Sequence, residues 1–136
     1  MSQLKKQSTL ENRLVIIQDL LANLFHNKKE EFDFEIIKAI KYILGKSGQI
    51  SIAKLSTEFH LTERTFERRF IKSIGVSAKQ FAKIIQFNQS LQQITLKDYH
   101  KLSDVVFTNG YADQSHFIKV FKAYTGKTPK AFKARI

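Results

Sequence analysis

The sequence predicts an all-α fold: two helix-turn-helix subdomains joined by a long connecting helix, with an extra helix at the N-terminus. Three observations carry this expectation. Apolar residues recur at spacings of three and four nearly throughout, and no run of period-two alternation competes. Proline occurs once, at Pro129, so helix interiors escape its break. A short helix, a tight turn and a longer helix follow one another twice, around His60 and again around Gly110.

An opening helix is signalled by Ser8 with Glu11 three residues on, a capping-box spacing, and should run to about Phe25. Its stripe of Leu10, Leu14, Ile17, Leu21 and Leu24 suits a dimer contact or, more plainly, a brace on the core. The polar segment HNKKEEFDFE marks a boundary, after which a helix runs from about Phe34 to Leu44 and ends at Gly45 and Gly48. The first helix-turn-helix unit then pairs a short helix, about Ser51 to Phe59, with a longer one ending near Ile74. Thr62 is its N-cap, His60 stands where the chain reverses, and Gly75 is the stop. Ser77 with Gln80 opens the connecting helix, which reaches about Ile94. Beyond LKDYHK the pattern repeats as KLSDVVFTN, the turn Gly110-Tyr111-Ala112, and DQSHFIKVFKAYT, with Gly126 as stop. Thr128 and Pro129 read as N-cap and first residue of a terminal helix.

At 136 residues the chain makes one ordinary domain or two very small ones, which favours a binding module over a large catalytic architecture. Without cysteine, disulfides, thiolate nucleophiles and cysteine-rich zinc sites are excluded. No signal-peptide pattern opens the sequence and its apolar runs are too short for a membrane span, so a cytoplasmic protein with no membrane partner is expected. The formal charge of +11 is unevenly spread. Residues 1–40 hold six basic and six acidic side chains, whereas residues 41–136 hold 17 and six. Such an excess suits a polyanion, whose phosphates release counterions on contact.

Unrolled at about 100° per residue, the helix carrying TERTFERRFIKSI puts Phe66 and Phe70 on a core stripe. Arg64 and Arg68 lie opposite, Glu67 and Lys72 flank them, and Arg69 falls near the core edge, where it is not counted as a contact. On the second such helix Phe117, Val120, Phe121 and Tyr124 face inward, Ser115, Lys119 and Lys122 face outward, and Gln114 stands in the first turn. Side chains of these types on an outward helix face can fork onto base edges in a major groove, and the Glu67 carboxylate can accept from a cytosine amine. A connecting helix of about 18 residues spans roughly 27 Å, a little under the duplex repeat of about 34 Å. A monomer reading a non-palindromic site in two successive grooves, with slight bending of the duplex, follows as an expectation.

These residues resemble the DNA-binding domain of the AraC/XylS family of bacterial transcription regulators. The resemblance is carried by Gly110-Tyr111, Asp113-Gln114-Ser115, Phe117, Phe121-Lys122, Gly126, Pro129 and Phe132, and upstream by LTERTFERRF with Gly75 and Ser77. It covers about residues 34 to 135 and implies seven helices, two of them recognition helices. It also implies base reading by Arg64, Glu67, Arg68, Gln114, Ser115 and Lys119, and phosphate contacts from Thr62, Lys72, Lys79, Gln80, Lys122, Lys127 and Lys130. The implied domain division is residues 1–33 as a helical appendage or remnant of a sensing domain and 34–136 as the DNA-binding domain. The latter divides into 34–76, 77–95 and 96–136. Four positions depart from the family pattern: Gln86 replaces a common arginine, Ala78 a common proline, His60 a usual glycine and Val106 a small alanine.

The expected function is therefore sequence-specific duplex-DNA binding by a transcription regulator of activator type, as a monomer or weak dimer, with no enzymatic activity and no cofactor or metal. RNA polymerase is a further candidate partner, and a small-molecule effector belongs only with an additional N-terminal domain. The rival readings are a helical protein-interaction module and a basic nucleic-acid binder without promoter specificity. Asp113, Ser115 and His116 supply triad residue types, but neighbours on one helical turn point apart and make no relay. The twelve phenylalanines could suggest base stacking on single strands, yet Phe59, Phe66, Phe70, Phe117 and Phe121 recur at core spacing.

Overall fold

In the computed structural model of the chain, residues 15–19 and 32–134 are described. Residues 15–19 are helical. Seven helices follow: α1 (Phe34–Gly45), α2 (Ile52–Glu58), α3 (Glu63–Ile74), α4 (Ala78–Thr95), α5 (Leu102–Thr108), α6 (Gln114–Thr125) and α7 (Pro129–Lys133). No strand occurs among the described residues, so the fold is all-α as expected. Ser8 and Glu11, the end of the opening helix at Phe25, and Leu10, Leu14, Leu21 and Leu24 lie outside the described residues. Ile17 is described, and it packs against the core of α1 to α4.

The chain forms two compact units, and the division between Ile85 and Gln86 falls inside α4. In the first unit α1 buries Ile36, Ala39, Ile40 and Ile43, a helical-period stripe that meets Leu55 of α2, Phe66, Phe70 and Ile74 of α3, and Ala78, Phe81, Ala82 and Ile85 of α4. Each helix start from α1 to α4 has a side-chain cap. Asp33 accepts from the Ile36 N–H (3.4 Å), Ser51 from Lys54 (3.3 Å), Thr62 from Thr65 (3.1 Å) and Ser77 from Gln80 (3.0 Å). Every such cap satisfies a donor the helix cannot, and contributes about 1 kcal/mol.

The end of α1 differs from the expectation. Gly45 is its last helical residue, and the left-handed positions are Ser47 (φ 53°) and Gly48 (φ 77°), with the Gly48 N–H donating to the Ile43 carbonyl at 2.9 Å. Closure of this kind places the left-handed residue beyond the cap rather than within the last turn.

Both helix-turn-helix turns close in one way. His60 is left-handed (φ 57°), and the Leu61 N–H returns to the Ser56 carbonyl at 3.0 Å. Gly110 holds the same conformation (φ 74°), and the Tyr111 N–H returns to the Val106 carbonyl at 3.1 Å. In the second unit Phe87, Leu91 and Ile94 of α4 pack with Val105 and Val106 of α5, Tyr111, and Phe117 and Phe121 of α6. Val106 is fully buried there, while its counterpart Ser56 is a buried hydroxyl that donates to the Ala53 carbonyl at 2.9 Å.

An aromatic ladder recurs as well. Phe66, Phe70 and Phe81 stand at 5.9 and 5.7 Å between successive ring centroids, and Phe117, Phe121 and Phe132 at 5.8 and 5.4 Å. Phe66, Phe70, Phe117 and Phe121 are sealed in the cores, so these rings hold helices together and present no stacking platform.

A candidate nucleic-acid interface

The two longer helices of the repeated units, α3 and α6, each have twelve residues. Thr62 caps the first and Asp113 the second, whose carboxylate accepts from the His116 N–H at 2.7 Å. Glycines in the left-handed region stop both, Gly75 (φ 97°) and Gly126 (φ 79°). Counting from the caps pairs Phe66 with Phe117 and Phe70 with Phe121, and therefore Arg64 with Ser115 and Arg68 with Lys119. The inward stripe is fixed by the phenylalanines, which forces the intervening polar positions outward.

Arg64, Arg68 and Lys72 are exposed on α3, and Gln114, Ser115, Lys119 and Lys122 on α6. Arg64 and Arg68 stand one helical turn apart on one face, as do Ser115 and Lys119. Among the described residues Arg64, Arg68 and Lys119 have no acidic partner. Lys79, Gln80 and Lys130 are exposed at the starts of α4 and α7. Lys127 is half-buried, its backbone N–H and carbonyl both held by the Thr125 hydroxyl at 3.1 and 2.9 Å. The Thr62 hydroxyl is exposed but already engaged, accepting from the Thr65 N–H and donating to the Thr65 hydroxyl at 3.0 Å.

Glu67 stands apart from the rest of the set. It is half-buried, and its Oε1 is enclosed without a hydrogen bond of good geometry. Burial raises its pKa above the ordinary glutamate value, partly offset by the backbone amides of Ala78 and Lys79 in the first turn of α4. Those amides face the carboxylate without closing a full hydrogen bond on Oε1, so the dominant effect is desolvation. The counterpart of Glu67 in α6 is Ile118, and the counterpart of Ala78 is Pro129, which has no N–H to offer. In this arrangement the Glu67 carboxylate turns toward α4, away from the face that carries Arg64 and Arg68.

Arg69 is held at the core edge by a partner the sequence did not signal. Its Nε and Nη2 donate to the two carboxylate oxygens of Asp33 at 2.7 and 2.6 Å. Asp33 is held below the usual carboxylate range chiefly by that bond, and the guanidinium is raised by the same pairing.

Gln86, standing where the family pattern has arginine, donates from Nε2 to the Asn109 carbonyl at 2.7 Å. The Asn109 amide in turn donates to Gln93 Oε1 and to the Val105 carbonyl, both at 2.8 Å. This buried network fastens the turn of the second unit to its own stretch of α4. Nearby, burial pushes the Tyr111 hydroxyl up to about 12. It makes no hydrogen bond of good geometry, although the Ser90 hydroxyl, which donates to the Phe87 carbonyl at 2.6 Å, lies nearby. Asp113, the would-be triad acid, spends its carboxylate on the cap of α6.

A paired set of capped helices with basic, outward faces is the geometry of a DNA-binding regulator domain. Comparison with known proteins agrees. The family described as Helix-turn-helix domain matches residues 55–135. The chain belongs to that family, in its AraC/XylS form, the DNA-binding part of transcription regulators. An uncharacterised HTH-type transcriptional regulator of Staphylococcus aureus (strain MSSA476) is 22% identical over 135 residues, covering 98% of this chain and 18% of its own length. The HTH-type transcriptional activator FapR of Escherichia coli is 27% identical over 114 residues, covering 84% of this chain and 42% of its own length. The chain thus spans less than half the length of either relative. No solved structure matches it. No helix among the described residues is long and apolar enough to cross a membrane.

Proposed function

We propose that the chain binds duplex DNA sequence-specifically as the DNA-binding domain of a cytoplasmic transcription regulator, and that α3 and α6 enter successive major grooves. The observation that supports this most is the repetition itself. Two capped, twelve-residue helices are locked inward by the same phenylalanine ladder and left with Arg64 and Arg68, or Ser115 and Lys119, facing water. Gln114 joins the base-reading set, and Lys72, Lys79, Gln80, Lys122, Lys127 and Lys130 hold phosphates. Thr62 adds a phosphate contact only through whatever capacity its capping hydroxyl retains. Glu67 reads a base only after its carboxylate leaves the start of α4. In this reading the domain comprises residues 34–136, divided at 76 and 95, and residues 1–33 are an appendage or the remnant of a sensing domain. It carries no catalytic activity.

The name of the Escherichia coli relative supports activation of transcription, with RNA polymerase as a second partner. An effector would act through a further domain. With α4 a little shorter than one duplex turn, the proposed complex bends its DNA slightly. The test is selection of a preferred site from a random duplex pool, followed by titration with variants. Arg68→Ala or Lys119→Ala should cost about 1–3 kcal/mol on the selected site and relax preference there, whereas Lys130→Ala should weaken all sequences alike and make the salt dependence shallower. Equal losses for all three variants on every sequence would leave only a non-specific basic binder, and no retention of duplex would favour a protein-interaction module.

A further inference from the structure

We propose that Asp33 is a positioning residue for DNA recognition: its ion pair with Arg69 sets the roll of α3 about its own axis and so the aim of Arg64 and Arg68. The proposal rests on the function proposed above. Asp33 precedes α1 and lies outside the residues matched by the helix-turn-helix family. Its carboxylate joins three things at once. It caps α1 through the Ile36 N–H at 3.4 Å and takes both the Nε and Nη2 of Arg69 at 2.7 and 2.6 Å. The side chains are only 32% (Arg69) and 21% (Asp33) exposed. By contrast, the ion pair of Lys38 with Glu35 is a solvent-exposed contact at 4.0 Å.

A packed phenylalanine stripe fixes which face of a helix turns inward, and directional contacts at the edge of that face set the finer roll. A fork of two charge-assisted bonds is directional. Rolling a helix by about 20° moves a side-chain tip by about 2 Å, since side chains reach about 5–6 Å from the axis. That is enough to lose a base-edge hydrogen bond. Arg69 adjoins Arg68 in sequence, so the clamp acts beside the reading face. In α6 the counterpart of Arg69 is Val120, which packs against the core of its own unit, so the second unit has no such clamp at that position.

Simple electrostatics makes the opposite prediction, which gives the test its force. Deleting an anion from a DNA-binding protein should tighten its hold on every duplex. The full chain and its Asp33→Asn, Arg69→Met and Arg68→Ala variants would be titrated with two probes, a duplex enriched by the wild-type chain and a random-sequence duplex, at two salt concentrations. Asparagine caps a helix as well as aspartate does, so α1 keeps its start. Thermal melts would confirm that each variant is folded at the assay temperature. Asp33→Asn is expected to bind the enriched duplex about tenfold more weakly, the scale of one partly buried charged pair, with no gain on random duplex and an unchanged salt slope. Arg69→Met should show the same selective loss.

Asp33→Asn binding the enriched duplex as tightly as wild type, or either duplex more tightly, overturns the proposal. So does an Arg69→Met loss that is equal on both probes with a shallower salt slope, since Arg69 would then be a phosphate contact. If Arg68→Ala keeps full preference for the enriched duplex, the base-reading function itself fails, and the role of Asp33 falls with it whatever its own variant does.

Discussion

His60 holds a left-handed backbone (φ 57°) that Gly110 supplies without strain in the second unit. A β-carbon there costs roughly 1 kcal/mol, so His60→Gly should raise stability by about that amount, read as a higher denaturant midpoint at unchanged slope. Glu67 gives a second expectation, with a sign. Its folded pKa is raised by burial, so the ionised form weighs against the native state. Stability lost to it grows as pH rises from the unfolded value through the raised folded value, and persists above. Glu67→Gln should therefore be more stable than wild type at neutral pH, with the gap closing as the solution is acidified below the ordinary glutamate value. Asp33 acts in the opposite sense. Its pKa is lowered by Arg69, so its contribution is complete above the usual aspartate value and is lost as pH falls through the depressed folded one. Urea melts at several pH values separate the two slopes.

At the scale of elements, the repeated helix-turn-helix unit is the most legible feature of the sequence, because its signals are local. Thr62, Ser77 and Thr128 mark helix starts, Gly75 and Gly126 mark stops, and the phenylalanine spacing fixes which face turns inward, whereas the cap at Asp113 emerges only from the structure. Exposure of Arg64, Arg68, Ser115 and Lys119 follows from the same period. What the sequence hides depends on contacts between distant residues. Asp33 and Arg69 are 36 positions apart, and Gln86 and Asn109 are 23 apart. Neither pair leaves a periodic trace. Glu67 is legible in principle, since laying the two units side by side puts it opposite Ile118, a residue that prefers the interior. Of the two glycines read as the stop of α1, Gly48 is left-handed as expected, whereas Gly45 is still helical and Ser47 takes the other left-handed position, because any glycine near a helix end looks like the left-handed residue. The Asn109 network yields a further expectation at this scale. Asn109→Ala removes donors to Gln93 and Val105 and leaves a small void, which should cost about 2 kcal/mol in a urea melt.

For the molecule as a whole, the charge is the first guide and the least specific. All of the +11 excess lies in residues 41–136, which accounts for attraction to duplex DNA but not for selection among sequences. In the function proposed above, selection comes from the faces of α3 and α6 engaging one duplex together, each reading its own groove. Guanine-methylation interference on the enriched site tests it most directly, because a methyl group in the major groove blocks only where a helix enters. The account predicts two clusters of interference about one helical turn, roughly 10 base pairs, apart on the same face of the duplex, with Arg68→Ala erasing one cluster and Lys119→Ala the other. A single cluster, or one insensitive to either substitution, would contradict it.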